Sequence, residues 1–75
     1  MHGGLYLNIP LGKNIRRLRL EKDLTQRALA YHLCVSVQAV SKWETGLSFP
    51  DVLLLPDIAD FFAISLDALF GRGEA

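Results

Sequence analysis

Hydrophobic residues recur along the chain at helical spacing from Leu11 onward. Leu11, Ile15 and Leu18 stand four and three residues apart, which places them on one helix face and predicts a first helix over Leu11–Lys22. Arg19 falls beside these apolar residues on the same face. The first helix is therefore expected to pack through an apolar stripe that includes one arginine.

Two short helices follow, and each begins after a hydroxyl residue that can accept a hydrogen bond from a helix N–H group. Thr25 is the predicted N-cap of a helix over Gln26–Leu33, and Ser36 that of a helix from Val37 to Glu44 or Thr45. Gly46 then ends the third helix, because glycine adopts the left-handed conformation common at helix ends.

The third helix has one apolar and one polar face. At 100° per residue, Val40 and Trp43 point together toward a core. The opposite face has hydrogen-bonding side chains and no acid. It consists of Gln38, Ser41, Lys42 and Thr45, with Val37 at its edge.

The remaining elements complete an all-α prediction. Asp51–Phe62 is a fourth helical stretch, whose regular part starts at Pro56 since proline is tolerated in a first turn. Ser65 is the predicted N-cap of a last helix over Leu66–Phe70. The pattern predicts a compact five-helix bundle with three regions: an arm at 1–10, a domain at 11–70 and a tail at 71–75.

Length and composition limit the classes of function. Seventy-five residues make one small domain, and 51% hydrophobic with 21% charged residues is globular composition. The sequence shows no nucleophile–base pair or phosphate loop and has little room for a substrate cavity, so we expect no enzyme activity and no small-molecule substrate.

Cysteine and histidine content is too low for a metal site or a disulfide framework. The single cysteine, Cys34, and His32 lie about 200° apart on a helix, and His2 is the only other histidine. We therefore expect no metal and no cofactor. The free cysteine, with no secretory signal and no apolar run of membrane-spanning length, predicts a cytoplasmic protein without a membrane segment.

Charge is unevenly distributed although the net charge is zero. Residues 1–46 contain seven basic and three acidic side chains, whereas residues 47–75 contain one basic and five acidic ones. Such an asymmetric chain can present a basic face to nucleic acid at neutral net charge.

Two short helices joined by a tight turn, with an exposed polar face on the second, suit the DNA major groove, which admits one helix. The pattern Leu24-Thr25-Gln26-x-x-Leu29-Ala30-x-x-Leu33, followed by Val35-Ser36-x-x-x-Val40-x-x-Trp43-Glu44-x-Gly46, resembles the Cro-like phage-repressor helix-turn-helix family, also called XRE-type. The resemblance extends over about residues 11–70 and implies a regulator of transcription that binds DNA as a symmetric dimer.

The resemblance also implies roles for individual residues. It implies base contacts from Val37, Gln38 and Lys42, and phosphate contacts from Gln26 and Ser36. The polar face of the third helix adds Ser41 as an expected base contact and Thr45 as an expected phosphate contact. Arg19 and Glu44 match a structural ion pair of the family. Two positions depart from the family pattern: Cys34 occupies a turn position where glycine is usual, and Leu47-Ser48-Phe49 lacks the basic residues that relatives often have.

We therefore predict a repressor that binds a palindromic operator in double-stranded DNA as a homodimer. The dimer surface is expected around Leu66, Leu69 and Phe70, with a contribution from the arm at Leu5–Ile9. The alternative is a protein-interaction module or antitoxin, which the apolar last two helices favour. The absence of acids on the polar face of the third helix favours DNA.

Overall fold

Helices account for the regular structure of residues 10–72, the part of the chain that the computed structural model describes. The predicted arm at Leu5–Ile9 and the last three residues of the predicted tail lie outside this range. The helices are α1 (Leu11–Glu21), α2 (Gln26–Leu33), α3 (Val37–Thr45), a 3-10 turn (Val52–Leu54), α4 (Leu55–Phe61) and α5 (Leu66–Leu69). The all-α prediction is confirmed.

The boundaries differ from the predicted ones by single residues, except in the fourth stretch. There the chain forms a 3-10 turn and then an α-helix, because Asp51 caps the turn: its Oδ1 accepts the Leu53 N–H at 2.9 Å. Pro56 lies in the first turn of α4, where a backbone nitrogen has no hydrogen-bond partner within the helix and proline is therefore tolerated.

Among residues 10–72, no helix is long and apolar enough to cross a membrane.

Hydroxyl caps begin three of the helices, as predicted. In each case the side-chain oxygen accepts a hydrogen bond from the backbone N–H three residues later. The pairs are Thr25 with Ala28 at 2.9 Å, Ser36 with Ala39 at 3.0 Å and Ser65 with Ala68 at 3.0 Å. These caps fix where α2, α3 and α5 start.

One type of turn closes four helices. A residue with left-handed backbone is followed by an apolar residue, whose N–H bonds to a carbonyl five residues earlier, and then by a hydroxyl residue. The N–H donors of these bonds are Leu24, Val35, Leu47 and Ile64, at 2.9 to 3.0 Å. The left-handed residues are Asp23, Cys34, Gly46 and Ala63.

Cys34→Gly is expected to stabilise the protein or leave it unchanged. Cys34 has φ 59°, ψ 42°, which confirms the predicted left-handed turn, and its side chain is exposed. Glycine removes a Cβ clash of about 1 kcal/mol, although its greater freedom in the unfolded chain opposes the gain. Ala63→Gly, also at φ 59°, is the matched control for chemical denaturation. A loss above about 1 kcal/mol at Cys34 alone would contradict this account.

The core lies between all five α-helices. Its fully buried members are Ile15, Leu29, Val40, Ile58 and Leu69. The burial of Leu69 corrects the predicted dimer surface, because this side chain points into its own domain and contributes no exposed area. Phe70 is half-buried, and only Leu66 of that trio is exposed.

Candidate nucleic-acid interface

The turn between α2 and α3 holds the two helices in a fixed arrangement. α2 ends at Leu33 and α3 begins four residues later, after the left-handed Cys34 and the cap Ser36. Val40 and Trp43 anchor α3 in the core, with 0% and 5% of their surface exposed. The opposite side of α3 is therefore presented to solvent.

The predicted base-contact residues differ in how much surface they offer. Gln38 and Lys42 are exposed and lie four residues apart, so they share one face of α3. Ser41 is half-buried beside them, whereas Val37 packs partly against the core and presents only an edge. The acid of α3, Glu44, has a side chain only 3% exposed. The exposed face of α3 thus carries one positive charge and no negative one.

The three predicted phosphate-contact residues lie at helix ends. Ser36 Oγ accepts a hydrogen bond from the Ala39 N–H, which leaves the hydroxyl proton available to a phosphate oxygen. Thr45 Oγ1 instead donates to the carbonyls of Ser41 and Lys42, at 3.1 and 3.2 Å. A phosphate contact by Thr45 requires its hydroxyl to rotate away from these carbonyls.

Gln26 belongs to a buried polar network that joins three helices. Arg19 of α1 donates through Nε to Glu44 Oε2 at 2.7 Å and through Nη2 to Glu44 Oε1 at 2.9 Å. Gln26 Nε2 donates to the same Oε1 at 3.0 Å. Arg19 Nη1 also donates to the Leu24 carbonyl at 2.7 Å. These contacts bring together the predicted ion pair and one predicted phosphate contact.

The network determines the local charge around Gln26 and the orientation of its side-chain amide. The bidentate Arg19 guanidinium neutralises the Glu44 carboxylate, which would otherwise repel a nearby phosphate. The hydrogen bond to Glu44, and with it the charge of Glu44, raises the pKa of Arg19 although burial opposes the shift. The stability that the Arg19–Glu44 pair contributes to the fold is therefore present below the ordinary arginine pKa, and it is lost only as the pH rises above that pKa. One amide N–H of Gln26 is held by Glu44, and the other is available to a ligand.

Gly12 is a structural residue that sequence reasoning missed. A Cβ atom at Gly12 would lie 1.9 Å from the carbonyl oxygen of Trp43 and 3.4 Å from the Cα atom of Glu44. α1 and α3 therefore approach backbone to backbone at this point. The available signal was a glycine inside a helical pattern, where it costs stability unless close packing requires it.

Asn14 is a second structural residue that sequence reasoning missed, and its contact has no signal in the sequence. Its Nδ2 donates to the Leu69 carbonyl at 2.9 Å, which connects α1 to the end of α5.

His32 and Cys34 were considered above as metal ligands. Within residues 10–72, neither belongs to a group of three or more side chains that could hold a metal ion. The His32 ring lies 5.1 Å from the Phe61 ring, centroid to centroid.

Comparisons with known proteins agree with this geometry. The helix-turn-helix family matches residues 15–69. The chain is 40% identical over 62 residues to the HTH-type transcriptional activator BcrR of Enterococcus faecalis, an alignment that covers 83% of this chain and 30% of the activator. The chain thus spans less than a third of that relative's length.

A smaller relative and a solved structure are also similar. The uncharacterized HTH-type transcriptional regulator YazB of Bacillus subtilis strain 168 is 36% identical over 58 residues, covering 77% of this chain and 84% of YazB. The crystal structure of a transcriptional regulator from Listeria innocua superposes with a TM-score of 0.78 at 29% identity, covering 87% of this chain and 61% of that one.

Proposed function

The chain belongs to the Cro-like helix-turn-helix family of DNA-binding transcriptional regulators, which are not enzymes, and from this premise we propose that it is a sequence-specific repressor of a palindromic operator. One observation carries the proposal: the exposed face of α3 presents Gln38 and Lys42 four residues apart, with no acid beside them. The cytoplasmic location inferred from the sequence is part of this proposal.

In the proposed complex, α3 lies in the major groove and its side chains read base edges. The Gln38 amide suits the N6 and N7 atoms of adenine, and the Lys42 ammonium suits O6 and N7 of guanine. Ser41 adds a hydroxyl that can donate or accept. Val37 contributes an apolar edge toward a thymine methyl group.

The proposed phosphate contacts come from the helix ends beside α3. Gln26 is the first residue of α2, where backbone N–H groups and the helix dipole favour an anion. Ser36 offers its hydroxyl proton at the start of α3. Thr45 joins them when its hydroxyl turns toward the DNA. These contacts fix the position of α3 and carry no direct sequence information.

A dimer follows from the small size of the reading unit. One module of this size makes too few contacts for tight specific binding, and two modules related by a two-fold axis double them. The operator then has two half-sites about 34–36 Å apart, one helical turn of DNA. We include the homodimer and the palindrome in the proposal on this ground.

Repression is the proposed sign of regulation, because occlusion of a promoter requires nothing beyond DNA binding. Activation is the second candidate, and the name of the activator relative favours it. Transcription in vitro from a promoter that carries the selected site distinguishes the two. A fall in transcript with added protein supports repression, and a rise supports activation.

Selection of bound sites from random DNA tests the function. We expect Gln38→Ala to cost about 1–3 kcal/mol at one preferred base and so to change which sequences are selected. Gln26→Ala is expected to weaken binding about equally at all sites, since a phosphate contact is sequence-independent. Neither glutamine is charged, so the salt dependence of binding should change little.

Lys42→Ala is the internal control for these two variants. Loss of a guanine contact changes base preference, whereas loss of a phosphate contact lowers the salt dependence by about one charge. If Gln38→Ala keeps the wild-type base preference at every position, α3 is not the reading element. Failure of the wild-type protein to enrich any sequence would favour the alternative, a protein-interaction module or antitoxin.

A further inference from the structure

A cleft with basic walls lies between α1 and the last turn of α3, and we call it the α1 cleft. Its volume is about 570 Å³. The side chains that line it are Lys13, Arg16, Arg17, Leu20, Glu21 and Glu44. Three of these six side chains are cationic, and none of the three takes part in the DNA contacts proposed above. The cleft therefore calls for a ligand of its own.

The two acids of the α1 cleft are already paired. Arg17 Nη1 donates to Glu21 Oε2 at 3.1 Å, and the charge of Glu44 is neutralised by the bidentate pair described above. Lys13 and Arg16 are exposed, and within residues 10–72 neither forms an ion pair. The cleft thus has two uncompensated positive charges, so an anion is the ligand that its chemistry favours.

The α1 cleft adjoins both the reading helix and the proposed phosphate contact of α2. Glu44, which lines the cleft, accepts a hydrogen bond from Gln26 Nε2 at 3.0 Å. Gly12, the neighbour of Lys13, brings the backbone of α1 against Trp43 and Glu44 in the last turns of α3. An anion in the cleft would therefore lie beside the surface that faces DNA.

The dimensions of the duplex bring a backbone strand to this position. A helix with its side chains is about 10–12 Å across and fills the major groove, which is about 12 Å wide. The two strands that border the groove consequently run directly beside α3. A helix packed on α3 has its axis about 8–10 Å away, which is the distance of a bordering strand. The long basic side chains of α1 are then within reach of backbone phosphates.

We propose that Lys13 and Arg16 bind phosphate of the DNA backbone in the α1 cleft, which makes α1 a third helix in contact with DNA. The inference rests on the proposed function, because it requires α3 to lie in the major groove. Lys13 and Arg16 are three residues apart, so they share one face of α1. The arginine fork matches two phosphate oxygens, and the lysine adds a point charge.

These contacts supply charge that the segment after α3 lacks. Leu47-Ser48-Phe49 contains no basic residue, and Lys42 is the only positive charge on the exposed face of α3. Each phosphate that a cation neutralises releases counterions and strengthens binding at low salt. The α1 cleft contributes this general affinity and no direct sequence information.

The first test measures how affinity for a random-sequence duplex depends on salt concentration. For the double variant Lys13→Gln with Arg16→Gln, we expect the slope of log K against log salt to fall by about 0.9 for each charge, about 1.8 together. Arg72→Gln is the matched control, because it removes an exposed charge outside the cleft and should keep the wild-type slope. The swapped variant, Lys13→Arg with Arg16→Lys, keeps both charges and should also keep the slope.

A second test locates the phosphate by replacing single backbone phosphates of the selected sequence with uncharged methylphosphonates. At one or two positions we expect the wild type to lose about tenfold in affinity, the usual effect of losing a hydrogen bond to a charged group. The double variant should lose nothing further at those positions. Gln26→Ala should still respond to them, because its contact lies at a different phosphate. Circular dichroism checks that each variant is folded.

Free phosphate is the other source of the same chemistry. Inorganic phosphate is therefore titrated into the protein without DNA at constant ionic strength, with binding followed by nuclear magnetic resonance. Binding of inorganic phosphate at the α1 cleft, together with an unchanged salt slope for the double variant, would assign the cleft to a small anion and overturn the inference.

Three further results contradict it. The slope falls as much per charge for Arg72→Gln as for the double variant; the swapped variant loses the slope as well; or no methylphosphonate distinguishes the wild type from the double variant. Failure of the wild type to bind any duplex overturns the inference and the proposed function together. If the slope falls as expected but selection enriches no sequence, the contacts of the α1 cleft stand and the proposed sequence-specific repressor fails.

Discussion

Arg19→Met is expected to lower the free energy of unfolding by about 3–5 kcal/mol, because it leaves the Glu44 carboxylate buried without its counter-charge. The Arg19 and Glu44 side chains are only 10% and 3% exposed. The variant also removes the donor to the Leu24 carbonyl, which lies between α1 and α2. Denaturant unfolding followed by circular dichroism measures the loss.

Arg17→Met is the matched control two residues away on the same helix. Arg17 pairs with Glu21 at 3.1 Å, but these side chains are 55% and 58% exposed. Solvent screens such a pair, which contributes about 0.3–0.5 kcal/mol. A loss at Arg19 no larger than the loss at Arg17 would mean that the buried network is not a structural support.

Gly12→Ala is expected to destabilise the protein by about 1–3 kcal/mol, the usual range for overpacking. The new methyl group would overlap the Trp43 carbonyl oxygen, 1.9 Å away, so α1 and α3 must separate. The better helix propensity of alanine returns up to about 1 kcal/mol of this cost. Unfolding in urea measures the change, and DNA binding should also weaken because α3 moves.

Lys13→Ala provides the comparison for Gly12→Ala. It lies next to Gly12 in the same turn of α1, is exposed, and should change stability by less than about 0.5 kcal/mol. If Gly12→Ala stabilised the protein, helix propensity would outweigh packing. The close approach of α1 to α3 would then be adjustable rather than fixed.

The sequence predicted local elements well because their signals are local. Thr25, Ser36 and Ser65 mark helix starts by their hydroxyl groups, and all three accept the expected hydrogen bonds. The left-handed conformation of Cys34 was predicted from the family resemblance rather than from its residue type. Periodicity placed Val40 and Trp43 inside, where both are buried.

Features that depend on how helices meet were not predictable. The direction in which Leu69 points depends on where α5 lies against α1, and no spacing along the chain encodes that placement. The hydrogen bond from Gln26 to Glu44 joins residues 18 apart in sequence, so only the packed structure brings them together. The exposure of Leu47 has the same origin. Its turn has the same backbone hydrogen bond as the turns at Val35 and Ile64, but only those two side chains pack against the core.

The turn between α2 and α3 has a consequence for the heat and entropy of binding. Cys34 and Val35 donate their N–H groups to carbonyls of α2, and Ser36 caps α3, so the backbone of this connection is ordered before any ligand arrives. Binding then orders mainly the exposed side chains of α3, at up to about 2 kcal/mol each for the longest ones. We expect the heat-capacity change of binding, measured by calorimetry, to correspond to the area buried in contact with DNA alone. A reading helix that folded only on its target would add a further, larger contribution.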